Sequence, residues 1–181
     1  MITALRALEP HELQDFTEEA KSEVILRVKE KIPHLESSLA VAELTVALHY
    51  VLNTPEDVLI WDVGHQGYIH KAITGRMKSL NHQRTPGGIS GFLKRDESPF
   101  DFFGAGHAST SISALAGVCM ADAIKKHKRH RIAVVGDGSF TGGQTFEALN
   151  HLGTIDTDAL VILNDNDGSI DQTIGVLHNY Q

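Results

Sequence analysis

Two short apolar runs, Ile132–Val135 and Ala159–Leu163, limit most strongly what this chain can fold into. Both are rich in Val, Ile and Leu and too short for helices, so each reads as a buried strand. Thr141–Leu152 lies between them with helical spacing. A strand–helix–strand unit of that length pairs its strands in parallel through a right-handed crossover. Upstream, Val58–Asp62 reads as a further strand, and Thr110–Lys126, rich in Ala and small residues, as a closely packed helix. The expected fold class is α/β, a parallel sheet with helices on both faces.

The remaining segments are read from the same periodicities. Helical spacing covers Pro10–Lys31 and Ala40–Val51, the second ended by Asn53-Thr54-Pro55. Gly64 follows the first strand, and a polar helix is expected over His65–Thr74. Met77–Phe103 holds Pro86-Gly87-Gly88, Gly91 and Ser98-Pro99 and is expected to be a long, partly mobile loop. The basic cluster Lys125, Lys126, Lys128, Arg129 and Arg131 is local and reads as a solvated helix end.

Composition excludes some roles. A formal net charge of −7 argues against a nucleic-acid surface. No apolar run reaches the roughly 18 residues that a membrane span needs. Met1–Glu18 alternates charged and apolar residues and lacks the shape of a signal peptide. Cys119, the single cysteine, sits in an apolar run and reads as a packed thiol. A reducing, cytoplasmic setting is the expectation.

Ligands of open parallel sheets bind at the carboxyl ends of the strands. Gly136-Asp137-Gly138 leaves one strand at that edge, and Asn164-Asp165-Asn166 leaves the next strand at the same edge. Asp137 and Asn166 therefore converge although far apart in sequence. A carboxylate and an amide oxygen are hard donors that suit Mg²⁺, which takes its other ligands from water and phosphate oxygens. Gly136 and Gly138 allow a sharp turn and close approach to a diphosphate, with the amides of Gly138 and Ser139 facing its oxygens. Gly-Asp-Gly alone occurs in many turns; its pairing with Asn-Asp-Asn after a strand–helix–strand interval is what makes it specific.

Eleven histidines are many for 181 residues. His65 follows a strand end and a glycine, where loops place functional groups, and an imidazole exchanges protons near neutral pH. A helix-capping or solvated role is the alternative for it. His34, in Ile32-Pro33-His34, could equally belong to a plain loop.

The paired motif is similar to the thiamine-diphosphate fingerprint of the transketolase superfamily. Within it, the chain resembles the 1-deoxy-D-xylulose-5-phosphate synthase family over nearly its whole length. The stretches that carry the likeness are VAELTVALHYVLNTPEDVLIWDVGHQGYIHKAITGR, GHASTSISALAG, GDGSFTGGQTFEALNHLG and LVILNDNDGSID. The resemblance implies thiamine diphosphate and Mg²⁺ as cofactors, and carboligation of pyruvate with glyceraldehyde 3-phosphate with loss of carbon dioxide. It implies Asp137 and Asn166 as side-chain ligands of Mg²⁺, the Gly168 carbonyl as a third, and Gly136, Gly138 and Ser139 against the diphosphate. By the same likeness His65 and His34 are active-site histidines and Ser109 lies near the aminopyrimidine.

The chain departs from that pattern at Lys31-Ile32-Pro33, and at Glu36 and Ala40, where glycines are usual; replacement there is expected to reshape the pocket. Gly168 replaces a commonly larger residue. Residues 1–181 are expected to form a single, incomplete diphosphate- and Mg²⁺-binding domain. The family's pyrimidine-binding and C-terminal domains are expected to lie outside these residues, so a complementary pyrimidine-binding domain or chain is the implied partner, in a homo-oligomer when complete. A noncatalytic paralogue that keeps the fold and a component of another transketolase-type enzyme remain the alternatives.

Overall fold

The structure is a computed structural model that describes residues 1–28 and 33–165. The sheet has three parallel strands, β1 (Val58–Trp61), β2 (Arg131–Gly136) and β3 (Leu160–Asn164), in that spatial order. Val58 pairs with Arg131 and Ile132 with Leu160, so every link between neighbouring strands crosses over the sheet. β1 is buried along its whole length, as a strand covered on both faces must be. The expected α/β class and parallel sheet are what the chain forms.

Helices cover both faces. α6 (Ser111–Lys125) and α8 (Gly143–Leu152) lie on one, where Ile112, Leu115 and Cys119 meet Val58, Ile60, Ala133 and Val135. Cys119 is fully buried there as a packing thiol. α4 (Ala42–Val51) covers the other face, with Leu48 against Leu59, Trp61, Ile132 and Val134. Behind α4, α2 (Leu13–Val28) and α1 (Ile2–Leu5) close a second apolar cluster around Val24, Val46, Ile69 and Ile73. Among the described residues no helix is long and apolar enough to cross a membrane.

Some boundaries differ from the periodicity. Pro10–Glu12 is a 3₁₀ turn closed by reciprocal Glu9–Glu12 capping, and α2 begins only at Leu13; its expected end at Lys31 lies outside the described residues. A further short helix, α3 (Leu35–Ala40), precedes α4. The helix expected from His65 starts instead at Tyr68, as α5 (Tyr68–Lys71), then widens into a π turn over Ala72–Arg76. Val63 and Gly64, with φ of 57° and 76°, take up left-handed backbone and leave His65 in a turn. This segment is not polar on its outside either: Tyr68, Ile69, His70 and Lys71 are all buried.

Met77–Phe103 is irregular, as expected, apart from a 3₁₀ turn over Lys78–His82, and several buried side chains pin it to the domain. Lys71 Nζ donates to the Ser90 carbonyl at 2.7 Å and to Glu97 at 2.9 Å, and Arg76 forks onto Asp101. The basic cluster is likewise more than solvated charge. Arg129 and Arg131 both bind the buried Asp122 of α6, at 2.7 and 2.8 Å. Burial would raise the Asp122 carboxyl, but the two guanidiniums hold it down at about 2.

Candidate functional site at the carboxyl edge of the sheet

β2 reaches the carboxyl edge at Gly136, where it pairs with Asn164, the last residue of β3. Asp137 and Asp165 therefore leave the sheet side by side. Asn166 and Gly168 lie outside the described residues, so of the expected metal ligands the structure describes Asp137 alone. Asp137–Phe140 coils into a single helical turn, α7. Gly136 has φ −76° and ψ 155°, extended backbone that any residue adopts, so its glycine is not required by the turn. Space is the better reason. A Cβ at Gly136 or Gly138 would have no atom within 4 Å, so the surface is open at this turn. Open backbone at a strand's carboxyl end, with a half-buried carboxylate beside it, fits a Mg²⁺–diphosphate group.

Ser139 is held from behind. Its carbonyl accepts hydrogen bonds from Ser109 Oγ at 2.7 Å and Thr145 Oγ1 at 3.0 Å. Ser109 is buried with φ 67°, and a Cβ on Gly142 would overlap its hydroxyl, so Gly142 is the close approach that admits Ser109. The Ser109 hydroxyl proton is thus committed to the Ser139 carbonyl.

β1 delivers the opposite wall. Asp62 continues the strand by donating its N–H to the Val134 carbonyl at 2.8 Å. Its carboxylate turns toward α6, accepting the Ser109 N–H at 2.8 Å and the Ser111 N–H at 3.0 Å. A carboxylate at a helix N-terminus satisfies donors that the helix cannot, and complements its dipole. Sequence reasoning missed Asp62; an acid directly after an apolar strand and before Gly-His was the available signal.

The two predicted histidines come together, with ring centroids 5.3 Å apart at 68°. His34 starts α3 in left-handed backbone, φ 70°, an uncommon conformation for a histidine. The Tyr68 hydroxyl donates to the preceding Pro33 carbonyl at 2.7 Å, and Ser38 Oγ donates to the His65 carbonyl at 3.2 Å. Burial, reinforced by His34 and opposed by Asp62, lowers the His65 pKa, so its imidazole is neutral near pH 7. Its Nδ1 is buried with no hydrogen-bond partner among the described residues. Glu36 and Ala40, expected to reshape the pocket, sit at exposed positions of α3 and fill no buried space.

A second group of histidines was not anticipated at all. His49 and His70 are fully buried and joined Nε2 to Nδ1 at 2.8 Å. Asp101, an ionised acceptor, takes the Nε2–H of His70 at 3.0 Å. With His70 kept neutral by burial, its Nδ1 accepts, so His49 donates from Nε2 and accepts at Nδ1 from Thr54 Oγ1 at 2.8 Å. Arg6 donates to the same threonine oxygen at 3.0 Å. With both histidines neutral, as burial favours, the chain of bonds runs in one direction, from Arg6 to Asp101. Periodicity could not find it, because a histidine paired inside a core occupies an apolar position.

Taken together, these features define an α/β domain with a parallel sheet, at whose carboxyl edge Asp137 and Asp165 leave side by side. The profile of the 1-deoxy-D-xylulose-5-phosphate synthase family matches residues 1–181. The 1-deoxy-D-xylulose-5-phosphate synthase of Methylobacillus flagellatus is 53% identical over 176 residues, covering 97% of this chain and 29% of that protein. The synthase of Methylococcus capsulatus is 51% identical over 98% of this chain and 28% of its own. That of Cytophaga hutchinsonii is 51% identical over 97% and 28%. This chain belongs to the 1-deoxy-D-xylulose-5-phosphate synthase family and corresponds to its N-terminal part. It spans less than a third of the length of these relatives.

Proposed function

We propose that the chain supplies the diphosphate- and Mg²⁺-holding half of a thiamine-diphosphate-dependent 1-deoxy-D-xylulose-5-phosphate synthase. The observation that carries this reading is the pairing of Gly136 with Asn164, which brings Asp137 and the start of Asn164-Asp165-Asn166 to one sheet edge in a member of that family. The substrates are pyruvate and glyceraldehyde 3-phosphate, joined with loss of carbon dioxide.

In this reading Asp137, Asn166 and the Gly168 carbonyl hold Mg²⁺, and the amides of Gly138 and Ser139 face the diphosphate. Bound thiamine diphosphate supplies the carbon nucleophile and the electron sink for decarboxylation. His65, kept neutral by burial, gives up or takes a proton at the substrate's carbonyl oxygen, with His34 beside it. The turn around His65 and the bare glycines at Gly136 and Gly138 bind and orient. A complementary pyrimidine-binding domain completes the site, in a cytoplasmic homo-oligomer, and without it the chain does not turn over.

Titration calorimetry with thiamine diphosphate and Mg²⁺, on wild type and Asp137→Ala in the presence of a pyrimidine-binding domain, tests this. Saturable binding by wild type that Asp137→Ala loses is expected. No binding by wild type would sink the reading.

A further inference from the structure

Asp62 stands where the three walls of the proposed site meet, and none of the roles above uses it. It is 1% exposed, and both carboxylate oxygens are occupied by backbone N–H groups, of Ser109 and Ser111. Ser109 in turn carries the Ser139 carbonyl on its hydroxyl. On the other side, the Asp62 carbonyl accepts Gln66 Nε2 at 3.1 Å, closing the turn that contains His65. One residue therefore ties the histidine turn after β1 to the start of α6, and through Ser109 to the turn after β2. The link is short and sterically fixed: Ser109 sits in left-handed backbone with its side chain wedged against Gly142, although Thr145 Oγ1 also holds the Ser139 carbonyl.

We infer that Asp62 is a positioning residue of this site, setting the Asp137–Ser139 turn against His65 by clamping the Ser109 amide. This inference rests on the cofactor reading proposed above. It assigns Ser109 a changed part as well: its hydroxyl transmits the position of Asp62 to Ser139 and leaves contact with the cofactor to other groups. A residue that only filled space would act on stability alone. Asp62 acts on where Ser139 stands, so its removal is felt in cofactor affinity through Ser109.

The test uses the full-length protein and reads Mg²⁺–thiamine diphosphate affinity, thermal midpoint and the His65 titration by NMR. Removing an outer positioning group of a metal site costs about tenfold or more in affinity, and this is expected of Asp62→Ala. Asp62→Asn keeps one acceptor oxygen and should fall between Ala and wild type. Ser109→Ala should weaken binding too, and adding it to Asp62→Ala should cost little more, because the two act in series. Asp62→Asn should also move the His65 pKa further down, since the lost carboxylate was opposing that shift.

If Asp62→Ala fails to fold, Asp62→Asn and Ser109→Ala carry the same comparison. Wild type that binds no cofactor overturns the proposed function. Wild type that binds, with Asp62→Asn and Ser109→Ala each unchanged in affinity, overturns the assignment of Asp62. Additive losses in the double variant overturn the series connection.

Discussion

Replacing Asp101 with alanine should destabilise this domain far more than any exposed acid in the same loop. Asp101 is 2% exposed and accepts four hydrogen bonds: from His70 Nε2 at 3.0 Å, Arg76 Nη1 at 2.7 Å, Arg76 Nη2 at 2.6 Å and the Lys94 N–H at 2.9 Å. Alanine leaves Arg76 with Glu97 at 3.4 Å as its remaining carboxylate and strands the donors on His70 and Lys94. Breaking a buried pair by removing one partner costs about 3–5 kcal/mol, because the other charge stays buried. For a domain of this size, that corresponds to roughly 6–20 °C in thermal midpoint. Asp96→Ala is the matched control. Asp96 faces Lys94 at 3.9 Å with both side chains largely in solvent, and such pairs are worth about 0–1 kcal/mol. Urea unfolding of the two variants, compared at equal slope, measures the difference. If Asp101→Ala lies within about 1 kcal/mol of Asp96→Ala, the buried network does not hold the loop and the reasoning fails.

Acid should unfold the domain early. Burial pushes the His49 pKa well below its ordinary value, with His70 and Arg6 adding to it, and burial lowers His70 despite Asp101. Folded pKa values below the unfolded ones mean that the unfolded chain binds more protons. Stability is thus complete above about pH 6.5 and falls as pH drops below it, by up to about 1.4 kcal/mol per pH unit for each histidine. Unfolding midpoints measured between pH 7.5 and 5 check this, and a flat profile that persists in His49→Phe would contradict it. Gly64→Ala should lose more than about 1 kcal/mol, since φ is 76° and a Cβ would stand 2.6 Å from that of Ala105. Calorimetric melting measures it, and an unchanged midpoint would count against the tight turn. Arg129→Ala should cost less than Asp122→Ala, because Arg131 still neutralises Asp122 at 2.8 Å, whereas the reverse change frees two guanidiniums; paired urea melts decide the order.

The sheet and the helices around it were legible because their signals are local. Val58–Trp61, Leu160–Asn164 and Ser111–Lys125 lie within one residue or so of where apolar runs and spacing put them. The turn at Val63 was not, because a β-branched residue in left-handed backbone contradicts its own propensity and is set by what surrounds it. The edge position of Asp137 followed from strand polarity alone. Asp62, His49, His70 and Asp101 escaped for a different reason. Their roles are defined by partners 20 to 50 positions away, such as Ser109 for Asp62 and Asp101 for His70, and no periodicity reports a long-range hydrogen bond.

The parallel register has a consequence for how the domain comes into being. Val58 finds its partner in Arg131 only after the whole intervening loop and α6 have been made, and β3 joins later still. Pairings of such sequence separation are slow to form, because chain entropy is lost before any contact repays it. Until then Leu160 and Leu163, 53% and 39% exposed among the described residues, belong to a strand that can pair with another chain. Asp137 and Asp165, which lead into the proposed metal site, leave that late-formed sheet at its carboxyl edge. During synthesis, the helices of the amino-terminal half can gather early, while the edge that joins Gly136 to Asn164 exists only once β3 has docked.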